Sequence, residues 1–254
     1  MLLTIDIGNT NVTIGLFAGD VLGPRWRMAT ARDRTCDEYG LQLLGFLDHA
    51  REAKGSIEGV VIASVVPPLT RVFVQACQKY FQYDPLVVNA GVKTGVSIRY
   101  DDPRQVGADR IVNAAAVLAL YGCPACIVDF GTATTFDAIS ENGEYIGGAI
   151  SPGIEIAADA LFRRAAKLPR VDLLRPPTAI GCNTQHAIQS GLLFGYVGLV
   201  EGMVARFGAE LGPDMNVIGT GGLVKTFARE CTIIQIVAPW LALEGLRIVW
   251  ALNK

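Results

Sequence analysis

Ile5-Asp6-Ile7-Gly8-Asn9-Thr10-Asn11-Val12-Thr13 returns in altered form, about half of the 254-residue chain later, as Val128-Asp129-Phe130-Gly131-Thr132-Ala133-Thr134-Thr135-Phe136. Asp and Gly keep their spacing in both copies. Apolar runs flank each turn, residues 2–8 and 11–18 around the first and 126–129 and 135–140 around the second. They read as strands joined by a tight turn. A third strand follows each pair, over 21–30 and 145–150. A single D-x-G is common, but its repetition inside three matching strands is not. The repeat therefore predicts two similar domains, 1–115 and 116–254, each presenting one turn to a shared cleft.

Outward from the turns, strands and helices alternate. Apolar residues at helical spacing predict helices over 36–51, 69–81, 106–121, 153–166, 185–207 and 241–252. Strands are expected over 59–66, 85–89, 215–219 and 232–237, and a helix is expected to start at Gly221-Gly222. Such alternation predicts an α/β fold.

The turn chemistry suits phosphate. Gly8 lets the backbone approach an oxygen closely. Asn9, Thr10, Asn11 and Thr13 add neutral donors, and a concave set of donors holds an anion. Asp6 is the exception, because a carboxylate beside phosphate is repelled unless a cation lies between. It predicts Mg²⁺ held through water, since Mg²⁺ keeps several waters and uses few carboxylates. Asp129 invites the same reading in the second turn. No G-x-x-x-x-G-K-[ST] is present, so this is not a P-loop protein. A third glycine cluster, Gly219-Thr220-Gly221-Gly222, stands between a strand and a helix, where small residues let a flat adenosine approach the backbone.

Composition narrows the classes. The chain is 51% hydrophobic and 18% charged, with a net charge of −2. That balance offers no basic footprint for nucleic acid and no polybasic membrane anchor. Apolar stretches such as 59–66 and 233–243 are too short or too interrupted to span a bilayer. The N-terminus lacks a basic segment and meets Asp6 early, so a cytoplasmic protein is expected. Six scattered cysteines make no disulfide framework. Cys123-Pro-Ala-Cys126 lacks the further ligands of a zinc site and runs straight into a strand, so two small buried side chains are expected.

Four short motifs, in order, resemble the type III pantothenate kinases. They are Asp6-x-Gly8-Asn9-Thr10, Gly107-Ala108-Asp109-Arg110, Asp129-x-Gly131-Thr132-Ala133-x-Thr135 and Gly148-x-x-x-Pro152-Gly153. That family belongs to the superfamily of acetate and sugar kinases, heat-shock chaperones and actin. The resemblance implies two actin-like (ribonuclease H-like) domains with ATP in the cleft between them. It also implies a homodimer and ATP-dependent phosphorylation of pantothenate to 4'-phosphopantothenate, the first step of coenzyme A synthesis. ATP, Mg²⁺ and a monovalent cation, K⁺ or NH₄⁺, are implied. By the same resemblance, Asp6, Ile7, Gly8, Asn9, Thr10, Asn11, Val12 and Thr13 would bind ATP, with Thr132 also touching it. Asp129 would hold the monovalent cation, for which a water-bridged Mg²⁺ is not needed. Gly107, Ala108, Asp109 and Arg110 would bind pantothenate, with Asp109 as proton acceptor and Tyr100 and Thr184 as further contacts.

The residues agree with these roles. Val106 to Arg110 lies at an expected helix N-terminus, where N–H groups and dipole favour the pantothenate carboxylate. Arg110 adds a forked donor for it. Two rivals remain: a kinase for another small hydroxy compound, and a nucleotide-binding regulator of transcription without turnover. An intact Asp6, Asp109 and Asp129 favours the kinase. Arg163, Arg164 and Lys167 read as a solvated helix end, His186 as structural, and Trp240, Trp250 and Phe194 as core or dimer contacts.

Overall fold

Leu2–Ile7 forms β1, whose apolar residues divide between two faces. Leu3, Ile5 and Ile7 enter one core, while Leu2 enters another. A strand buried on both faces is the centre of a sheet, and β1 lies between β2 (Asn11–Ala18) and β4 (Gly59–Ser64). The computed structural model describes residues 1–52, 56–165 and 167–254, grouped in two compact units.

Unit 1 comprises Met1–Tyr121 with Trp240–Lys254. Its strands run β3-β2-β1-β4-β5, where β3 is Val21–Ala29 and β5 is Leu86–Val87. β1 pairs antiparallel with β2 and parallel with β4. On one face lie α1 (Cys36–His49) and α2 (Pro67–Ala76), contributing Tyr39, Leu43, Leu47, Leu69 and Phe73 to the core. On the other lie α3 (Ala108–Leu120) and α7 (Leu241–Leu252), contributing Val112, Ala115, Leu243, Leu246 and Val249. Each of the valines, leucines and phenylalanines among them contributes roughly 1.5–3 kcal/mol on burial. A capping box between Thr35 and Glu38 starts α1. Prolines in the first turn, where no N–H is needed, start α2. β6 is the short strand Ser97–Ile98.

Unit 2, Gly122–Pro239, repeats the plan. β7 (Ala125–Phe130), β8 (Ala133–Ile139) and β9 (Glu144–Pro152) form two antiparallel pairs. β10 (Asn216–Thr220) pairs parallel with β7, and β11 (Ile236–Val237) pairs parallel with β10. The unit's strand order, β9-β8-β7-β10-β11, is that of β3-β2-β1-β4-β5. β1 and β7 share one burial pattern, in which the aspartate alone is half exposed. α4 (Ile154–Arg164) and α5 (Thr184–Leu211) follow β9. α5 packs Leu193, Tyr196, Val197, Val200 and Val204 with Val128, Phe130 and Phe136.

Several expectations change. Residues 116–254 were expected to form the second domain, yet α7 belongs to unit 1 and the units divide after Tyr121. The expected helix over 69–81 begins at Pro67 and ends in a π-helical turn, Cys77–Phe81. The expected strand over 232–237 is reduced to two residues, and no helix starts at Gly221-Gly222. α6 is a single turn of helix, Val224–Phe227, beginning after Gly221, whose φ is 91°. The helix expected over 153–166 is α4; Ala166 lies outside the described residues. α5 extends through 28 residues, long and apolar enough by length and composition to cross a membrane, which no shorter apolar run in the sequence suggested. Its buried face belongs to the core of unit 2.

Candidate active site

Asp6 sits on the even face of β1, the face that α3 and α7 cover. Beyond it the chain turns through Gly8 to Asn11. Gly8 N–H donates to Asn11 O at 3.0 Å, closing the turn. Thr30, at the end of β3, buttresses it twice: its N–H donates to Thr10 O at 2.9 Å and its hydroxyl to Gly8 O at 2.7 Å. The Arg32 guanidinium donates to Asn9 Oδ1 at 3.1 Å. Asn9, Thr10 and Asn11 stand exposed, as donors to a phosphate must. Ile7 and Val12 are fully buried, so their side chains serve the core.

The GADR motif reaches the same edge of the same sheet. Val65 follows β4, and its N–H donates to Ile7 O at 3.1 Å. Gly107, the residue before α3, comes against Val65, since a Cβ on it would lie 3.4 Å from Val65 Cγ1. Asp109 is in the first turn of α3, and its Oδ1 accepts from Arg110 N–H at 2.8 Å. Burial pushes the Asp109 carboxyl above its ordinary value, against the pull of the Arg110 backbone N–H and charge. Arg110 is 9% exposed. Tyr100, also in unit 1, is 37% exposed.

Unit 2 builds its turn differently. The sequence overlay sets Thr13 on Phe136, but the register sets Thr13 opposite Asp6 and Thr135 opposite Asp129. The second turn is one residue shorter, so the overlay slips after it. Gly153 N–H donates to Thr132 O at 3.1 Å, tying the start of α4 to the turn. A Cβ on Gly153 would lie 2.3 Å from that oxygen, and one on Gly221 would lie 2.4 Å from Asp129 Oδ1. Glycine at both positions keeps the backbone clear of the turn and its carboxylate. Gly131 and Thr132 are exposed. Thr184 opens α5 in an exposed position after its cap Asn183, whose side chain accepts from His186 N–H at 2.8 Å.

Sequence reasoning missed Asp137. It is fully buried on β8, where Oδ1 accepts from the Tyr145 hydroxyl at 2.8 Å and Oδ2 from the Thr135 hydroxyl at 3.1 Å. Its place two residues past Thr135 in an alternating strand was the available signal. Of the C-x-x-C pair, Cys126 is buried, with its thiol pushed up to about 12, while Cys123 is half exposed and donates to Glu141 O at 3.2 Å.

Two like-ordered sheets, each with an Asp-x-Gly turn after its central strand, make a duplicated, actin-like α/β fold. Solved structures agree on the fold. A Campylobacter jejuni protein assigned to the Baf family of transcriptional activators matches with a TM-score of 0.65 at 19% identity, covering 99% of this chain and 98% of that one. Component A of the (R)-2-hydroxyglutaryl-CoA dehydratase of Acidaminococcus fermentans matches with a TM-score of 0.54 at 13% identity, covering 100% and 99%. The family model for type III pantothenate kinase matches residues 2–206. The type III pantothenate kinase of Moorella thermoacetica is 55% identical over 253 residues, covering 100% of both chains, and that of Roseiflexus castenholzii is 52% identical over 254, again covering 100% of both. The chain belongs to the type III pantothenate kinase family. Its activity is the ATP-dependent phosphorylation of pantothenate in coenzyme A synthesis.

Proposed function

We propose that Asp109 accepts a hydrogen bond from the primary hydroxyl of pantothenate and aims it at the γ-phosphate of ATP. One observation carries this reading: the path Ile7, Val65, Gly107 brings the Asp6 turn and the first turn of α3 to one edge of unit 1. Phosphoryl transfer passes through a loose transition state, so positioning the hydroxyl matters more than early removal of its proton. Burial raises the carboxyl's affinity for that proton as the new ester bond forms. The N–H groups opening α3, with Gly107, Ala108 and Arg110, hold the pantothenate carboxylate. Tyr100 and Thr184 complete the substrate contacts.

The ATP phosphates lie on the backbone and side chains of the first turn, from Asp6 to Thr13, and Thr132 is the further ATP contact that the resemblance implies. A single half-exposed carboxylate, Asp6, suits a cation held through its waters. Bound Mg²⁺ supplies charge neutralisation of the phosphates there. Asp129, whose Oδ1 would lie 2.4 Å from a Cβ on Gly221, suits a monovalent cation. A homodimer fits the open face of α5, where a Cβ on Gly191, Gly195 or Gly198 would meet nothing within 4 Å. The site belongs to a cytoplasmic enzyme of small molecules, with neither nucleic acid nor membrane as partner.

An ADP-release assay over a panel of small hydroxy acids, with and without K⁺, tests these roles. Pantothenate-dependent ADP release that Asp109→Asn lowers by about 10²–10⁴-fold is expected. Near-normal turnover by that variant overturns the role of Asp109, and indifference to K⁺ overturns that of Asp129. Light scattering that shows a monomer at assay concentration overturns the homodimer.

A further inference from the structure

We infer that Thr135 and Thr220 join Asp129 as one oxygen row for the monovalent cation, with Asp137 as the positioning residue that orients Thr135. This deepens the reading of Asp129 proposed above and rests on it. The row follows from register. Thr220 is the partner of Asp129 across the parallel pair β10/β7, and Thr135 its partner across the antiparallel pair β7/β8. Register partners project to the same face, and neighbouring strands are about 4.8 Å apart. A carboxylate therefore stands between two hydroxyls, on three adjacent strands. Thr220 is 3% exposed, Asp129 and Thr135 half exposed, so the row is closed on its β10 side and open on its β8 side.

Asp137 gives the row its polarity. It lies two residues along β8 from Thr135, hence on the same face. The Thr135 hydroxyl donates to Asp137 Oδ2 at 3.1 Å, which commits its hydrogen to that bond. The hydroxyl oxygen then presents its lone pairs as a cation ligand does. Tyr145, fully buried, fixes the other carboxylate oxygen.

Unit 1 is the internal control. Its corresponding row is Thr13, Asp6 and Ala63, and Gly15 stands where unit 2 has Asp137. The first turn thus has one hydroxyl fewer and no second carboxylate. Three oxygen-bearing side chains in one row, Asp129, Thr135 and Thr220, suit direct ligation of a weakly hydrated ion, whereas the poorer row at Asp6 suits an ion that keeps its water.

The test is binding of Tl⁺, a spectroscopic stand-in for K⁺, by ²⁰⁵Tl NMR on the full chain, free and with ADP, alongside K⁺-dependent thermal shift. Wild type is expected to bind and Asp129→Asn to lose the signal. Thr135→Val, near-isosteric, is expected to weaken Tl⁺ at least 10-fold, Thr135→Ser to restore it, and Asp137→Asn to weaken it with Tyr145→Phe between. Wild-type affinity in folded Thr135→Val overturns the inference even if Asp137→Asn fails to fold. No Tl⁺ binding by wild type, or unchanged binding by Asp129→Asn, instead overturns the Asp129 reading, and the row with it.

Discussion

A Cβ built on Gly107 lies 2.5 Å from Oδ1 of Asp109. Gly107 has an ordinary φ of −60°, so alanine is allowed by the backbone there. The clash is with the end of a side chain that can rotate, and that side chain is the proposed catalytic one. Gly107→Ala should therefore leave the fold intact and move the Asp109 carboxylate. The expected result is a loss of roughly 10–10² in kcat, the scale of an ångström of misplacement, with an unchanged melting temperature. A melting temperature that falls in step with activity would assign Gly107 to folding instead.

Asp109 itself sets activity against stability. Its folded-state affinity for a proton is raised by burial. A carboxyl whose pKa is higher folded than unfolded favours the native state while protonated. That contribution is present below the ordinary value of 3.8 and is lost as pH rises through the raised one. At neutral pH the ionised group is a net cost. Asp109→Asn should lower turnover by about 10²–10⁴-fold while raising the melting temperature of the substrate-free protein at pH 7. The wild-type kcat/KM should lose activity on the acid side at a pH above that of an ordinary carboxylate. A lowered melting temperature in the variant would contradict the desolvation account.

Much of this was legible in the sequence because it is carried by spacing. The two Asp-x-Gly turns, the strand triplets and the closing helix are local patterns of apolar alternation and glycine, and the structure reproduces them. What was not legible depends on contacts distant along the chain. α7 looked like the end of the second domain, but Leu243, Leu246 and Val249 pack with Leu2, Val61 and Val112. Trp250 packs so tightly over Gly59 that a Cβ there would lie 2.1 Å from its ring. The slip between Thr13 and Phe136 arose because an ungapped overlay cannot see a turn shortened by one residue. Asp137 escaped notice because a carboxylate in a strand shows its importance only once Tyr145 and Thr135 are seen to bind it.

Gly153 offers a test of how rigid the second turn must be. Its missing Cβ would lie 2.3 Å from Thr132 O and 2.7 Å from Gly131 O, both backbone atoms that cannot swing aside. Gly153→Ala should push the turn away from the start of α4 and break the 3.1 Å bond from Gly153 N–H to Thr132 O. Overpacking of this kind costs about 1–3 kcal/mol, so chemical denaturation should show a lower midpoint. KM for ATP should rise while KM for pantothenate stays near the wild-type value, because Asp109 is held by unit 1. An equal rise in both would mean the turn does not serve ATP separately.

Asp6→Asn separates the cation from the phosphates. The side chain stays the same size and keeps a hydrogen-bonding oxygen, and its register partner Thr13 can still be met, so the β1–β2 turn should hold its form. What disappears is the negative charge that the proposed water-bridged Mg²⁺ answers. The Mg²⁺ concentration for half-maximal rate should rise at least about 10-fold, a loss of ~1.4 kcal/mol. Saturating Mg²⁺ should recover part of the rate, and KM for pantothenate should not move. A variant that titrates with Mg²⁺ as the wild type does, yet binds pantothenate poorly, would move Asp6 out of the phosphate site and into the substrate's.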